Sequence, residues 1–191
     1  MTTLNQVKSR SDEILAEIEE VSRKEFLPII GPLRGQLLAR EVRNKKPKHV
    51  LEVGTLIGYS AILMGQNLDE RSEIVTIEIH KREAEKAAEN ILKSKIQPKV
   101  KIIIGDAKEI IPTLKGCFDF VFIDAEKAEY SEYLKLVEPK LSKGAVVFAD
   151  NAGIFAQQMF DYLKHVRNPE NYTSSYVQLG DDGVEISIKC T

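Results

Sequence analysis

Several oxygen-bearing side chains stand at or near the ends of short apolar runs, where they could do chemistry together. Asp124 follows the run 118–123, and the pair Asp150-Asn151 follows the run 145–149. Two carboxylates and an amide are hard oxygen ligands, and they suit an octahedral Mg²⁺ that keeps some waters or substrate oxygens. Lys127 lies three residues after Asp124. Beside a divalent cation and a second positive centre its ammonium form is disfavoured, so the neutral amine becomes available as a general base. The three histidines, His49, His80 and His165, are scattered and give a zinc site little support. A plainer reading stands beside this one: Asp124 and Asp150 can cap the helices that follow them, and an Asp-x-x-Lys pair is often a solvated surface pair. Placement at strand ends is what singles them out.

A second set of residues reads as a ligand cradle. The stretch Val50-Leu51-Glu52-Val53-Gly54-Thr55-Leu56-Ile57-Gly58-Tyr59-Ser60 runs from an apolar strand through a glycine turn into a helical pattern. Such a junction places a ligand over the carboxyl end of a parallel sheet. Its glycine spacing fits neither a dinucleotide fingerprint nor a phosphate loop. Glu52, two residues before Gly54, would repel a pyrophosphate but suits a ligand with an amino group. S-adenosylmethionine is therefore the expected cofactor. Glu78 closes the run 74–78, where an acid can accept from both ribose hydroxyls. Gly105-Asp106 ends the run 100–104, where an adenine can pack. Each element alone also reads as a cap, a surface acid or an ordinary turn; their order along successive strand ends favours the nucleoside site.

These residues need a scaffold, and the remainder of the chain supplies it. Strands are expected at 49–53, 74–78, 100–104, 119–123 and 145–149, alternating with helices at 59–68, 81–93, 107–114 and 128–140. Near-continuous apolar strands suit a parallel sheet covered on both faces. Strict alternation argues for a doubly wound α/β fold, a Rossmann-like sheet of seven strands with helices on both faces. Upstream, Leu4, Val7, Ile14, Leu15, Ile18 and Val21 recur at helical spacing, and 33–42 reads as a second helix after Pro28, Gly31 and Pro32. After Asn151 one more helix, about 154–166, precedes two extended segments, 173–179 and 184–190. Gly180-Asp181-Asp182-Gly183 between them is a hairpin signal. An antiparallel hairpin thus closes one edge of a mostly parallel sheet. One domain over 1–191 is expected, with residues 1–45 as a helical cap.

Composition narrows the partners. With 27 basic and 29 acidic residues the net charge is −2, which gives no general reason to expect a nucleic acid or a membrane surface. Cys117 and Cys190 make no disulfide framework, so a reducing cytoplasm is the expected compartment. No run approaches the roughly 18 apolar residues of a membrane helix.

The motifs taken in order resemble a known family. Leu51-Glu52-Val53-Gly54-Thr55-Leu56-Ile57-Gly58-Tyr59-Ser60-Ala61, Ile77-Glu78-Ile79, Gly105-Asp106-Ala107, the run 118–127 ending Asp124-Ala125-Glu126-Lys127, Ala149-Asp150-Asn151 and Gly180-Asp181-Asp182-Gly183-Val184 look like a metal-dependent class I O-methyltransferase of the catechol and caffeoyl-CoA type. The resemblance covers about 30–189. It implies that Asp124, Asp150 and Asn151 hold Mg²⁺, that the metal chelates two neighbouring substrate oxygens, and that Lys127 takes the proton from the attacking hydroxyl. It further implies a cofactor site formed by Ile30, Glu52, Gly54, Gly58, Tyr59, Ser60, Glu78, Ile79, Gly105, Asp106, Ala107 and Asp124. The segment Ile30-Gly31-Pro32-Leu33-Arg34-Gly35-Gln36 resembles the family's lid over the methionine end. A catechol-like small molecule is the expected substrate and a homodimer the expected assembly.

Departures from the family pattern bear on the acceptor. Gln178 stands where the catechol enzymes place an acid that binds the second hydroxyl, Glu126 replaces an aromatic gatekeeper, and the chain has no tryptophan. Related bacterial enzymes methylate a hydroxyuridine in transfer RNA. An RNA substrate is the alternative, and a basic rim near Lys45, Lys46 and Lys48 would be its mark. A non-catalytic nucleoside-sensing module is a third reading, disfavoured by the intact Asp124, Lys127, Asp150 and Asn151.

Overall fold

The computed structural model describes residues 9–190. Two helices come first, α1 (Arg10–Glu25) and α2 (Gly31–Lys45). Strands and helices then alternate: β1 (His49–Val53), α3 (Tyr59–Gly65), β2 (Glu73–Glu78), α4 (Lys81–Ser94), β3 (Lys99–Ile104), α5 (Ala107–Thr113), β4 (Phe118–Ile123), α6 (Tyr130–Val137) and β5 (Leu141–Ala149). The chain closes with α7 (Phe160–Val166) and the strands β6 (Tyr172–Leu179) and β7 (Asp182–Lys189). Leu4 and Val7, expected in the first helix, lie outside the described residues. Ser9 caps α1 through a reciprocal capping box with Asp12, which satisfies two orphan N–H groups at once.

All seven strands form one sheet in the order β3-β2-β1-β4-β5-β7-β6. The first five pair in parallel, and β7 runs antiparallel to both β5 and β6. The mixed sheet with a terminal hairpin is thus as expected from the alternation. Only Gly180 takes a positive φ in the two-residue hairpin turn, as a turn with glycine at its first central position requires.

Period-two alternation assigns each strand residue to a face. Leu51, Val53, Val121, Ile123, Val147 and Ala149 pack with Ile111, Tyr130, Leu134 and Tyr162 on the side of α5, α6 and α7. Val50, Ile74, Phe120, Phe122, Val146 and Phe148 pack with Ile14, Ile18, Leu38, Val42 and Ile62 on the side of α1, α2 and α3. The central strands β1, β4 and β5 are buried on both faces near the carboxyl end of the sheet, which is why they carry so few polar residues there, whereas the edge strands β3 and β6 are partly exposed.

Several boundaries differ from the sequence expectation: the strand expected at 145–149 begins at Leu141, and the helix expected at 59–68 ends at Gly65. Three further differences concern helices. The helix expected over 128–140 is a 3₁₀ turn (Lys127–Glu129), then α6, then a second 3₁₀ turn (Glu138–Lys140) containing Pro139. Proline cannot donate within a helix, so the regular helix ends just before it. The helix expected over 154–166 is regular only from Phe160, because residues 150–159 form turns drawn toward the hairpin by Ala152 N–H donating to Gly183 O (2.8 Å). Helix α2 begins at Gly31 with Pro32 in its first turn, a position where the missing N–H costs nothing.

Candidate active site

The parallel order reverses between β1 and β4, the place where open α/β sheets leave a crevice at their carboxyl ends. Backbone hydrogen bonds carry the ladder past the strand ends. Gly105 N–H donates to Glu78 O, Gly54 to Ile77 O, Asp124 to Val53 O and Asp150 to Ile123 O, at 2.9–3.1 Å. Five consecutive strand ends, β3-β2-β1-β4-β5, are therefore fixed side by side. A Cβ at Gly54, where φ is +99°, would strike the backbone carbonyl of Asp124. Glycine is required for β1 and β4 to close up at this point.

A cavity of about 480 Å³ opens over the ends of β3, β2, β1 and β4, within the range of small-ligand sites. Of the expected cofactor residues, Ile30, Gly54, Tyr59, Ser60, Glu78, Ile79, Gly105, Asp106, Ala107 and Asp124 all line it. Glu78 is buried, and its carboxylate accepts from the N–H groups of Leu56 (2.7 Å) and His80 (3.0 Å). Leu56 adopts a φ of 48° to present that N–H, an uncommon conformation for a branched residue that must be held by its surroundings. Asp106 caps α5 by accepting from Lys108 N–H at 2.8 Å, so for this acid the capping reading and the lining position hold together.

Two expected residues do not line the cavity. Gly58, with φ +86°, sits at the start of α3, and a Cβ there would press on Ala87 of α4. Its place in the fold is helix packing. Glu52 points to the α1–α3 side of β1 and is fully buried. Its carboxyl accepts from Thr76 Oγ1 at 2.5 Å, and Ser60 also hydrogen-bonds to it. Thr76 in turn contacts Thr55. Burial pushes the Glu52 carboxyl up to about 7 against these two hydrogen bonds, with Asp124 and Glu78 adding to the rise.

At the β4 and β5 ends the charges are denser. Asp150 is buried, and both its carboxylate oxygens lack a hydrogen bond. The Arg34 Nε stands 3.0 Å from Asp150 Oδ1 as an ion pair without hydrogen-bond alignment. Burial and the neighbouring Asp124 carboxylate push the Asp150 carboxyl up to about 7, against Arg34. Lys127 donates to Asp124 Oδ1 (2.8 Å) and to the Tyr130 hydroxyl (3.0 Å). Tyr130 is itself buried and donates to Ile123 O (3.0 Å). Burial, then the Asp124 and Asp150 carboxylates, holds its hydroxyl protonated. The Lys127 amine is thereby fixed at the rim. Asn151 follows in a left-handed conformation (φ 61°), one that asparagine tolerates better than most residues. Its Nδ2 donates to Asp182 Oδ2 at 2.7 Å.

Asp124, Asp150 and Asn151 thus stand at adjacent strand ends beside Lys127. The chemistry of this donor set suits a hard divalent cation: two carboxylates and one amide oxygen, with two buried carboxylate oxygens in no aligned hydrogen bond. Among the described residues no three or more His, Cys, Asp or Glu side chains group so as to hold a metal ion by themselves; a cation here would rest on two carboxylates and the Asn151 amide, with its other positions left to exogenous ligands.

Three residues of this region had no specific assignment in the sequence. Tyr130 positions Lys127, and its only signal was its spacing of three from the lysine. Arg34 appeared only within the lid-like segment, and Asp182 only as a turn residue. Asp182 is in fact the first residue of β7 and is buried, accepting from Asn151, Arg34, Gly153 and Ile154. Burial pushes its carboxyl up, but the hydrogen bonds from Asn151 and the backbone outweigh it and hold the group below its ordinary value. Gln178 lies exposed on the edge strand β6, with its amide donating to Gly180 O at 3.3 Å. Lys45, Lys46 and Lys48 flank the amino end of β1, opposite the cavity, with Lys45 bonded to Gly144 O and Lys48 paired with Asp69. They form no rim around the site.

Comparison with known proteins agrees with this architecture. A family model described as O-methyltransferase matches residues 5–167. Catechol O-methyltransferase B of Danio rerio is 30% identical over 204 residues, spanning 98% of this chain and 76% of that protein. Catechol O-methyltransferase of Mus musculus is 32% identical over 180 residues, spanning 87% of this chain and 67% of its own. Among solved structures, the O-methyltransferase TomG from Streptomyces achromogenes, in complex with SAM, superposes with a TM-score of 0.86 at 27% identity, covering 98% of this chain and 93% of that one. This chain belongs to the O-methyltransferase family.

Proposed function

We propose that the protein is an S-adenosylmethionine- and Mg²⁺-dependent O-methyltransferase acting on a catechol-like substrate with two neighbouring oxygens. One observation carries the reading: the buried carboxylate of Asp150, with neither oxygen in an aligned hydrogen bond, stands at the strand end next to Asp124 and Lys127. Arg34 offsets its charge only in part, since the carboxyl is still pushed up to about 7, and a cation held by Asp124, Asp150 and the Asn151 amide would relieve the remaining cost. A bound Mg²⁺ would supply charge stabilisation for the developing oxyanion and a template for two substrate oxygens. Bound S-adenosylmethionine would supply an electrophilic methyl group on a sulfonium.

The chain's own residues do the rest. Glu78, anchored by two backbone N–H groups, retains lone pairs for ribose hydroxyls. Ile79 and Ala107 offer apolar surface to the adenine, and Ile30 closes the methionine end. Lys127, held by Asp124 and Tyr130, is placed to take the proton from the attacking hydroxyl, whose oxygen would then accept the methyl group that the cofactor supplies. With the glutamine amide at position 178 turned onto the hairpin, no acid selects between the two hydroxyls. Catechol O-methyltransferases among the relatives favour the small-molecule reading. The lysines at the far end of β1 give the transfer-RNA alternative no support from geometry.

The test is mass-spectrometric screening of methyl acceptors, from small catechols to undermodified transfer RNA, with and without Mg²⁺. Methylated catechols formed only with metal are expected. Methyl transfer that survives exhaustive chelation would sink the metal mechanism.

A further inference from the structure

We infer that Asp182 is a positioning residue: it turns the Asn151 amide so that its oxygen is left for the Asp124–Asp150 site, and it ties that site to the first turns of α2. The inference rests on the proposal above that Asp124, Asp150 and Asn151 hold a divalent cation. An asparagine amide has one oxygen and one nitrogen, and only the oxygen can ligate a cation. A free amide can present either. Here the nitrogen is committed, because Nδ2 donates to Asp182 Oδ2 at 2.7 Å. The oxygen therefore lies on the other branch of the side chain.

Asp182 is built to hold that orientation. Its Oδ1 accepts from Gly153 N–H (3.1 Å) and Ile154 N–H (3.0 Å), and its Oδ2 also accepts from Arg34 Nη1 (3.1 Å). Every group around the carboxylate is a donor, so the face it offers Asn151 is an acceptor. The close approach depends on small neighbours: a Cβ at Gly153 would come within 2.9 Å of Asp182 Oδ1. Backbone geometry works in the same direction. Asn151 is left-handed, and Ala152 N–H donates to Gly183 O at 2.8 Å, which pins the loop to β7 on either side of the side-chain bond. Arg34 completes the unit, since one guanidinium faces both Asp182 (3.1 Å) and Asp150 (3.0 Å). Residues from α2, from the loop after β5 and from β7 thus converge on a single carboxylate.

The experiment is calorimetric titration of Mg²⁺ into the full chain without cofactor. It compares wild type, Asp150→Ala, Asp182→Asn and the reversed pair Asn151→Asp with Asp182→Asn, and thermal melts report folding. Asp182→Asn frees the amide to turn its nitrogen inward, and Mg²⁺ binding should weaken by roughly 10–100-fold, the scale for losing an outer-shell partner of a metal ligand. In the reversed pair an amide at 182 donates to a carboxylate at 151, and most of the affinity should return. Loss of stability with unchanged Mg²⁺ affinity in folded Asp182→Asn overturns the inference and leaves the metal proposal standing. Wild type that binds no Mg²⁺ overturns the metal proposal, and this inference with it. Should Asp182→Asn not fold, the wild-type Asn151 side-chain amide ¹⁵N–¹H signal decides. A hydrogen-bonded signal that persists on Mg²⁺ addition supports the role, and one that loses its hydrogen bond refutes it.

Discussion

The two sides of the crevice are built differently. On the β1–β3 side, Glu78 is anchored by backbone N–H groups 22 and 2 residues away, and Asp106 by one 2 residues away. On the β4–β7 side, Asn151 is held by the side chain of Asp182, 31 residues on, and Asp182 is shared with Arg34, 148 residues distant. The first side is a cradle of backbone and glycine with a few acids set into it. The second is a set of buried charges, each dependent on another element for its partner. Backbone anchors survive most side-chain changes. A network of buried charges does not, since removing one member leaves the others unpaired. The cradle should therefore tolerate substitution with graded losses of binding, and the charged side should fail abruptly.

Asp150→Ala is the sharpest way to separate the two. It removes an anionic ligand and leaves Arg34 facing a gap, so methyl transfer should be abolished while S-adenosylmethionine still binds. Turnover assays paired with calorimetry on the folded variant test this; loss of cofactor binding in parallel would show the two sides to be one unit. Lys127→Ala should be the next largest, with turnover lowered by roughly 10²–10⁴ and both ligands still bound, the usual scale for a lost general base. The defect should shrink at high pH as more of the acceptor is already ionised, and a pH-rate profile measures it.

On the cradle side, Glu78→Ala should weaken S-adenosylmethionine by about ten-fold or more, from lost charged hydrogen bonds worth roughly 1.5–3 kcal/mol. Unchanged affinity by calorimetry would remove Glu78 from the site. The last prediction concerns Glu52, which is fully buried and acts on stability rather than on binding. Burial raises its folded-state value to about 7 from an ordinary 4.5. The folded protein therefore keeps this proton up to about pH 7 while the unfolded chain releases it near 4.5. Stability should fall as pH rises through that window and stay lower above it, with the Glu52 share on the order of 3 kcal/mol at most. Asp150, raised for the same reason, adds its own share. Glu52→Gln should flatten the slope without removing it, as measured by denaturant titration from pH 5 to 8 without ligands. An unaltered slope would mean that the carboxyl is ionised in the folded state throughout.

How much was legible follows the same division. The strand-turn-helix around Gly54, the acid closing β2 and the Gly105-Asp106 end were readable because each is specified by neighbours along the chain. Hydrophobic alternation gave the mixed sheet and its closing hairpin. The sequence also set two carboxylates and an amide at the ends of β4 and β5, and the fold places them at adjacent strand ends. Glu52 and Gly58, expected at the cofactor site, do not line the cavity itself: Glu52 lies on the other face of β1, hydrogen-bonded to the lining residue Ser60, and Gly58 packs against α4. Residue type and spacing do not say on which face of β1 a side chain meets solvent when both faces are covered.

Sequence alone determined the order of strands and helices, the glycine positions where backbone must approach backbone, and the acids that end the strands. These are local matters of dihedral freedom and periodicity. Only the tertiary structure decided which charge meets which. Arg34, the Asp150-Asn151 pair and Asp182 are far apart in the chain, and no local preference of any one of them selects the others. Their convergence is a consequence of β7 pairing antiparallel with β5 and of α2 lying across the sheet. Burial then makes the partnership obligatory, because charges out of water must find partners within the fold.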